Sequence, residues 1–559
     1  MKKHASSSRN NEGIALVTAA IFIAIAVLIL TALGTRVISQ ARQVDNNQIF
    51  RECFYGVESG LSASWASVEN GGDGAIGLGT WTLPAGNAIT LPTMDTAGVA
   101  PITPQDMPSV RYMGYAHNWM GDGLDNNNDG STDGLDELGF YTVYGMANDG
   151  ALSRAAELVI VGADVNVWRN AIFAGNGQAG GLINGNVAIH GSVHLLGNNL
   201  VAGATALAAI DLSGTALIHN NYVGLPAALA GRIPALPTRT FNGETVETLS
   251  AKLRVRNGLV GMSGNSEIGE PDIAGNAFKE TMDGTYVADG WTGTAVVDDG
   301  DRGDPKSVAS DNGWDEDYDL ANKVNLPVLA DDWRDPITGA RSVNGGTGLY
   351  YNHEEYFTQV LDGTTYNGNM TIKANTNFYY NATNPTQTNP ALRLPTDDFI
   401  YFNAATNVME VNGQITINGD LLIDRGAGND KTIHYTGRAA ILVKGNTTIE
   451  TDLYSRNSDG TTANSFPVKN ILGVMSSGNL TVGTNAQLNL MGAFYAQGQI
   501  KSTKQTIVTG TFVSNYFDMG TNVPEIYQVP TLADNLPMGM IGAYPIMTFT
   551  QVSWREVPY

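Results

Sequence analysis

The sequence predicts an α+β fold that is mainly β: a long N-terminal transmembrane and amphipathic helix, followed by a β-rich head with a region like a parallel β-helix (solenoid). Residues 14–33 carry no charge, and only Thr18 and Thr31 interrupt this apolar segment. Apolar residues then recur at helical spacing as far as Val68, and no proline occurs before Pro84. The rest of the chain is rich in glycine, with 65 of 559 residues, and contains short alternating apolar segments typical of β-strands.

The apolar segment is long enough to cross a membrane. At about 1.5 Å per residue it spans about 30 Å, the thickness of a bilayer core. Lys2, Lys3 and Arg9 precede it, and basic flanks stay on the cytoplasmic side, so we expect a single-pass inner-membrane protein with an exported head. A secretory signal has its small-residue cleavage site after the apolar segment. Here Gly13 lies before it, so cleavage there would leave the helix on the mature chain.

The leader and the Gly13-Ile14 junction resemble the class III signal of type IV pilins and pseudopilins. In that family the prepilin peptidase cuts after the glycine, which implies a mature chain that begins at Ile14. The segment Gly-Ile-Ala-Leu-Val-Thr is most similar to PilX-type minor pilins, with the K-type minor pseudopilin of type II secretion as the second match. The resemblance covers residues 1–70. The alternative is an ordinary membrane anchor, which would not need the amphipathic helical extension.

Thr18 departs from the pilin pattern. Most pilins carry a glutamate at this fifth mature position, and the resemblance implies that its carboxylate meets the free amine of a subunit already in the filament. A threonine cannot supply that charge. The K-type pseudopilin also lacks the glutamate and lies at the filament tip, so Thr18 is interpreted as a filament-core position of a tip or initiating subunit. The alternative is that the position tolerates variation.

The chain is acidic. Its 31 basic and 54 acidic residues become 28 and 53 once the leader is removed, a net charge of −25. This charge disfavours nucleic acid and anionic lipid as partners. Cys53 is the only cysteine, so no intrachain disulfide can form. Stability must then come from core packing, with a bound metal as a further source.

Residues 122–137 have the spacing of a calcium-binding loop. Oxygen-bearing side chains occupy positions 1, 3, 5, 7, 9 and 12, with Gly130 at the turn position 6. The predicted Ca²⁺ ligands are Asp125, Asn127, Asp129, Ser131, Asp133 and Asp136. Position 12 is aspartate rather than the longer bidentate glutamate, and no flanking helices are evident. The alternative is an acidic surface turn without an ion.

Strand patterns dominate the head. Residues 140–143 and 155–161 predict a β-hairpin, and residues 546–559 predict a final strand packed back on the body. Glycines every six residues, with alternating apolar residues between them, predict short strands that turn regularly: Gly185, Gly191, Gly197 and Gly203. Gly-Asn, Gly-Asp and Gly-Gln pairs repeat this style irregularly in the C-terminal part. Three histidines lie near the glycines, but a turn at Gly191 disfavours a shared metal site: His190, His194 and His219.

These patterns predict six regions. They are a leader (1–13), the pilin helix (14–70, with 14–33 transmembrane), a small head segment with the calcium-type loop (71–165), a first solenoid-like part (166–263), a loop-rich insertion (264–407) and a C-terminal solenoid-like part (408–559).

The predicted function is a minor pilin of a type IV pilus, at the tip or initiating assembly, with adhesion as a further role. Expected partners are the prepilin peptidase, other pilins through the N-terminal helix, the inner membrane before assembly, and a surface or glycan ligand; nucleic acid is not expected. We predict no enzymatic activity, because no nucleophile motif, phosphate-binding loop or distinct carboxylate pair is evident. The alternatives are a K-type tip pseudopilin and a membrane-tethered β-helix enzyme acting on carbohydrate.

Overall fold

The computed structural model describes residues 9–559 with thirteen internal gaps. The gaps are 70–72, 83–90, 120–138, 179–182, 186, 201–206, 294–307, 314–316, 337–338, 362–363, 427–431, 485–486 and 520–523. The side chains of residues 9–15, 184 and 185 also lie outside the description. The fold is a long N-terminal apolar helix followed by a large β-rich head, as the sequence predicts. The described chain forms two compact units: unit 1 comprises Met1–Ala163 and Met547–Tyr559, and unit 2 comprises Asp164–Ile546.

Unit 1 consists of one helix and one four-stranded sheet. Its elements are α1 (Arg9–Glu69), β1 (Arg111–Asn118), β2 (Phe140–Asn148), β3 (Ser153–Asp164) and β31 (Met547–Val557). The strand order is β1-β2-β3-β31, with β1–β2 and β2–β3 antiparallel. The β2–β3 pair confirms the predicted hairpin. The C-terminal residues form the predicted final strand, but this strand belongs to the sheet of unit 1.

Unit 2 contains all the remaining described elements. Its strands before the midpoint are β4 (Ile172–Gln178), β5 (Ile183–Gly185), β6 (Ala188–His190), β7 (Val193–Leu195), β8 (Ala208–Gly214), β9 (Leu217–His219), β10 (Thr238–Phe241), β11 (Glu244–Glu247), β12 (Lys252–Val255), β13 (Leu259–Met262), β14 (Glu267–Ile268), β15 (Gly284–Val287) and β16 (Trp291–Thr292). Those after it are β17 (Tyr366–Asn367), β18 (Met370–Lys373), β19 (Phe378–Asn381), β20 (Phe399–Asn403), β21 (Val408–Asn418), β22 (Leu421–Asp424), β23 (Thr432–Val443), β24 (Thr447–Ile449), β25 (Asp452–Ser455), β26 (Ile471–Ser476), β27 (Leu480–Val482), β28 (Leu488–Ser502), β29 (Thr506–Asp518) and β30 (Glu525–Tyr527).

The helices of unit 2 are short. The α-helices are α2 (Ala227–Ala230) and α3 (His353–Tyr356); α3 continues as a π-helical turn, Phe357–Leu361. The 3₁₀-helical turns are Val167–Arg169, Pro390–Leu392 and Pro530–Asn535.

Most strands of unit 2 pair in parallel, in an order that differs from the chain order. One parallel ladder runs β17-β21-β23-β26-β28-β29-β4-β7-β12-β15. A second runs β23-β25-β28-β29-β30-β6-β9-β14. We call β4–β16 the N-terminal half of unit 2 and β17–β30 its C-terminal half. The last strands of the C-terminal half therefore pair with the first strands of the N-terminal half. We call the pairings β29–β4 and β30–β6 the seam, because they join these two halves of the stack.

Glycine and asparagine form the corners between strands, as the sequence pattern indicated. In four successive contacts, the side chain of one corner residue accepts a hydrogen bond from the backbone N–H of the next, at 2.8 to 2.9 Å. This corner ladder comprises Asn369, Asp420, Asn446, Asn479 and Gln499. The glycines that precede these corner residues leave no room for a side chain, since a Cβ on Gly445 would lie 2.3 Å from Asp420 Oδ1.

A segment that we call the strap, residues 317–361, crosses both halves of unit 2. On the N-terminal half, Tyr318 Oη lies 2.8 Å from His194 Nε2, and Asp319 accepts hydrogen bonds from Arg254. On the C-terminal half, Tyr495 Oη donates to the carbonyl of Pro327 over 2.8 Å. The strap therefore holds the two halves together in addition to the seam.

The structure corrects two of the predicted boundaries. The region 264–407 is not one loop-rich insertion: β14–β16 continue the N-terminal half, β17–β20 begin the C-terminal half, and the strap lies between them. The region 408–559 is not one solenoid-like part either, because Met547–Tyr559 belongs to unit 1. Two- to four-residue strands carry too few alternating positions to be recognised from sequence.

Candidate functional site: the N-terminal helix

The N-terminal half of α1 is an exposed surface that is apolar over residues 16–33. Residues 16–48 are exposed, with Leu16 at 75% and Phe22 at 69%. The most apolar window of this helix has a mean hydropathy of 2.9, and the helix is long and apolar enough to cross a membrane. The hydroxyl of Thr31 donates to the carbonyl of Val27 over 2.7 Å, which satisfies its polar group within the helix itself.

The C-terminal half of the same helix forms the core of unit 1. Its buried face includes Cys53, Val57, Leu61 and Val68, all at most 6% exposed. Val57, Leu61 and Val68 pack against apolar residues of β2, β3 and β31 in one cluster. Because α1 is continuous from Arg9 to Glu69, the exposed apolar half and the folded head share a single helix.

Glycines allow the helix to lie directly on the sheet. A Cβ on Gly145 would lie 2.2 Å from the carbonyl oxygen of Val57, and a Cβ on Gly114 would lie 2.4 Å from that of Gly60. Side chains at these positions would push the helix away. Neither glycine is a predicted site residue: Gly145 falls in the predicted turn of the hairpin, and Gly114 falls in no predicted strand, whereas the structure places both inside strands.

Arg154 is a further residue of this site that carries no signal in the sequence. Its guanidinium lies 3.9 Å from the centroid of the Phe50 ring on α1 and forms an ion pair with Glu556 on β31. The Arg154 side chain is only 11% exposed. It therefore ties the helix to the C-terminal strand. The neighbouring pair of Arg555 with Glu157, at 2.8 Å, also holds β31 on β3.

The predicted processing and filament residues lie at the start of α1. Gly13 and Ile14 fall within the helical backbone, and their side chains are outside the described residues. Thr18 is exposed on the apolar half of the helix. The processing site and the filament-core role of Thr18 thus stay predictions.

The predicted calcium ligands lie outside the described residues, since the whole segment 120–138 is one of the gaps. The segment follows β1 and precedes β2 in unit 1. Among the residues that the structure does describe, no group of three or more His, Cys, Asp or Glu side chains could hold a metal ion. Calcium binding stays a prediction from the loop spacing.

The calcium prediction can be tested by titration. We expect the full chain to bind Ca²⁺ with a dissociation constant in the range of about 10⁻⁴ to 10⁻³ M, typical of extracellular sites. Replacing Asp129 with asparagine should weaken binding by at least about tenfold, because one hard anionic ligand is lost. Asp459→Asn, at an exposed turn of unit 2, is the matched control. Isothermal titration calorimetry that detects no Ca²⁺ uptake by the unmodified chain would contradict the loop assignment.

The structure does not bring the three histidines near the glycine repeat together into one cluster. His190 stacks on His219 with ring centroids 5.0 Å apart, whereas His194 lies against Phe173 and Tyr318. All three are at most 8% exposed, and burial lowers the pKa of each below its usual value.

Comparison with known proteins gives a distant structural likeness. No protein-family model matches the chain, and no curated protein matches it. Among solved structures, the competence-associated pilin ComZ from Thermus thermophilus is similar over 90% of this chain and 97% of its own, with a TM-score of 0.48 and 15% identity. A likeness this distant does not assign the chain to a family. The structure defines a class of fold: a β-rich head carried on a long, half-exposed apolar helix.

Proposed function

We propose that the chain is a minor pilin of a type IV pilus. The observation that carries this proposal is the single helix α1, which is exposed and apolar over residues 16–33 and becomes the core of unit 1 from Cys53 onward. A simple membrane anchor needs only the apolar part, joined to the head by any linker. A filament subunit needs both parts in one rigid rod, because the apolar half must pack among neighbouring helices while the head stays outside.

The Gly13-Ile14 junction supports the same function. An inner-membrane precursor would be cut by the prepilin peptidase after Gly13, and the helix beginning at Ile14 would then leave the bilayer for the filament. In both places its apolar surface is covered, first by lipid and then by other pilins. The apolar side chains of residues 16–33 are exposed in the single chain, and a filament subunit needs such a surface to pack against other subunits.

We place this pilin at or near the tip and favour the PilX type. Thr18 lacks the carboxylate for docking under an existing subunit. The head adds a 383-residue unit 2 to the small sheet of unit 1, and so large a head would crowd its copies along a regular helical filament. At a tip, one copy has room. Initiation of assembly and adhesion through unit 2 are the proposed roles.

N-terminal sequencing of the mature protein tests the pilin assignment. We expect a chain that starts at Ile14, and a Gly13→Glu variant that keeps its leader because a bulky charged residue replaces the small one at the cut. A conservative Thr31→Ser variant in the same helix is the control and should be processed normally. A mature chain that starts at Met1 would refute the assignment.

Deletion of the gene tests the position in the filament. Fewer surface pili or reduced attachment is expected. Normal pili together with a loss of secreted enzymes would instead select the K-type pseudopilin of type II secretion, and normal behaviour in both respects would overturn the tip role.

A further inference from the structure

The seam is the place where unit 2 is joined without chain continuity. β29 pairs with β4 through residues such as Phe512 with Ile172, and β30 pairs with β6 from Glu525–Ala188 to Tyr527–His190. Within each half, paired residues such as Leu253 and Val193 are at most 60 positions apart. Across the seam, paired residues are more than 300 positions apart, so hydrogen bonds, packing and the strap hold the halves together.

Three aromatic rings stack across the seam. His190 of β6 lies on Tyr527 of β30, with ring centroids 4.2 Å apart and planes 9° apart, and on His219 of β9 at 5.0 Å and 16°. His190 Nδ1 lies 2.7 Å from the carbonyl oxygen of Asn221. His190 is 3% and His219 8% exposed. The C-terminal half therefore contacts the N-terminal half through an imidazole that water scarcely reaches.

The groups that face this stack would do little to balance two positive charges. On β30, the Glu525 carboxylate lies 3.0 Å from Tyr527 Oη and contacts the far end of that ring. Beyond β14, Glu270 raises the pKa of His219, but burial outweighs it. Tyr222, which follows β9, donates its hydroxyl proton to the carbonyl of Gln528. The carbonyl oxygen of Asn221 and the Tyr527 ring face are the favourable contacts for a charged His190, and neither carries a full negative charge.

We propose that the seam is an acid-sensitive joint, at which protonation of His190 and His219 separates β30 from β6 while the strands within each half stay paired. Two adjacent imidazolium rings repel each other, and a buried charge without a counter-ion is costly. Opening the joint hydrates both rings. If the head is exported, as we propose above, it experiences the pH of its surroundings, so this joint would respond to acidification outside the cell.

The direction of the pH dependence follows from the folded and open states. Burial and the neighbouring His219 lower the pKa of His190 to about 3 in the closed joint, whereas a hydrated histidine titrates near 6.5. The stability that neutral His190 contributes is complete above pH 6.5 and is lost as the pH falls from 6.5 towards 3. At pH 4.5 the opening constant should therefore rise up to about 100-fold for this residue alone.

Hydrogen exchange of the full chain, measured by mass spectrometry, tests the proposal. Between pH 7 and pH 4.5, after correction for intrinsic exchange rates, we expect peptides containing β6, β9 and β30 to lose protection. Peptides containing β21, β23 and β26 should keep it. A uniform loss of protection over unit 2, or no change at the seam, would overturn the proposal.

Two variants separate this joint from general acid unfolding. A chain with both His190→Phe and His219→Phe keeps stacked rings that cannot be protonated, and its seam should stay protected at pH 4.5. The control is His353→Phe, which removes another buried histidine of unit 2, one that contacts the carbonyl of Gly539 and has a pKa lowered to about 4 by burial. Its seam should still open in acid. If the double variant does not fold, the exchange pattern of the unmodified chain decides alone.

Discussion

Replacing Gly145 with alanine is expected to lift α1 off the sheet of unit 1. The new Cβ would lie 2.2 Å from the carbonyl oxygen of Val57 and 2.8 Å from the backbone nitrogen of Leu61. Both atoms belong to the helix backbone, which cannot rotate aside as a side chain can. Overpacking in a core costs about 1 to 3 kcal/mol, and we expect the upper end or beyond for a clash with backbone.

Cys53 provides the measurement. It is fully buried, its Sγ lies 3.4 Å from the carbonyl oxygen of Leu152, and burial raises the pKa of its thiol. A thiol reagent should therefore label the unmodified chain slowly and the Gly145→Ala variant many times faster, because reaction follows opening of unit 1. Gly34→Ala is the control: its Cβ would contact nothing within 4 Å, and alanine favours a helix. Equal labelling of Gly145→Ala and the unmodified chain would show that the close contact does not exist.

The second large effect is expected at Gly437 in unit 2. This residue lies in β23 with φ of +99°, opposite Val411 of β21. A Cβ would lie 1.9 Å from the carbonyl oxygen of Val411. The left-handed backbone costs a non-glycine residue about 1 to 2 kcal/mol, and the clash adds about 1 to 3 kcal/mol. We expect Gly437→Ala to destabilise unit 2 by about 3 kcal/mol or more.

Thermal unfolding followed by differential scanning fluorimetry measures this effect. At about 2 °C per kcal/mol for a large domain, the transition of unit 2 should fall by about 6 °C or more. Gly345→Ala is the matched substitution, since its Cβ would meet nothing within 4 Å and its φ is not positive. It should leave the transition within about 1 °C. A shift no larger than that of Gly345→Ala would contradict the positive φ at Gly437 and its close approach to Val411.

The parts of the fold that the sequence predicted are those with local signals. The apolar segment 14–33 and the periodic residues after it predicted α1, because a helix repeats every 3.6 residues. The pairs of alternating residues around Gly145 to Ser153 predicted the β2–β3 hairpin. The Gly-Asn and Gly-Asp pairs predicted turns, and the structure adds that their side chains bond to one another along the corner ladder.

The seam and the strap had no such signal. Tyr527 pairs with His190, which lies 337 positions away in the sequence. No local sequence pattern around either residue indicates this pairing. The even spacing of His190 and His194 suggests a shared strand face, but the strand order places His219 beside His190 and His194 against Tyr318. The long-range pairing of strands depends on the whole chain and cannot be inferred from the residues of one strand.

The first and last residues of unit 2 lie next to each other. The Val165 N–H donates to the carbonyl of Ile546 over 2.8 Å, and the Ile546 N–H donates to Asp164 Oδ1 over 2.9 Å. In unit 1 the flanking strands β3 and β31 are neighbours in the sheet. A short turn could therefore join Ala163 to Met547, so the 383 residues between them behave as a cassette. Recombination between related genes could then exchange the distal head for another while the helix-bearing part of the protein keeps its own sequence and fold.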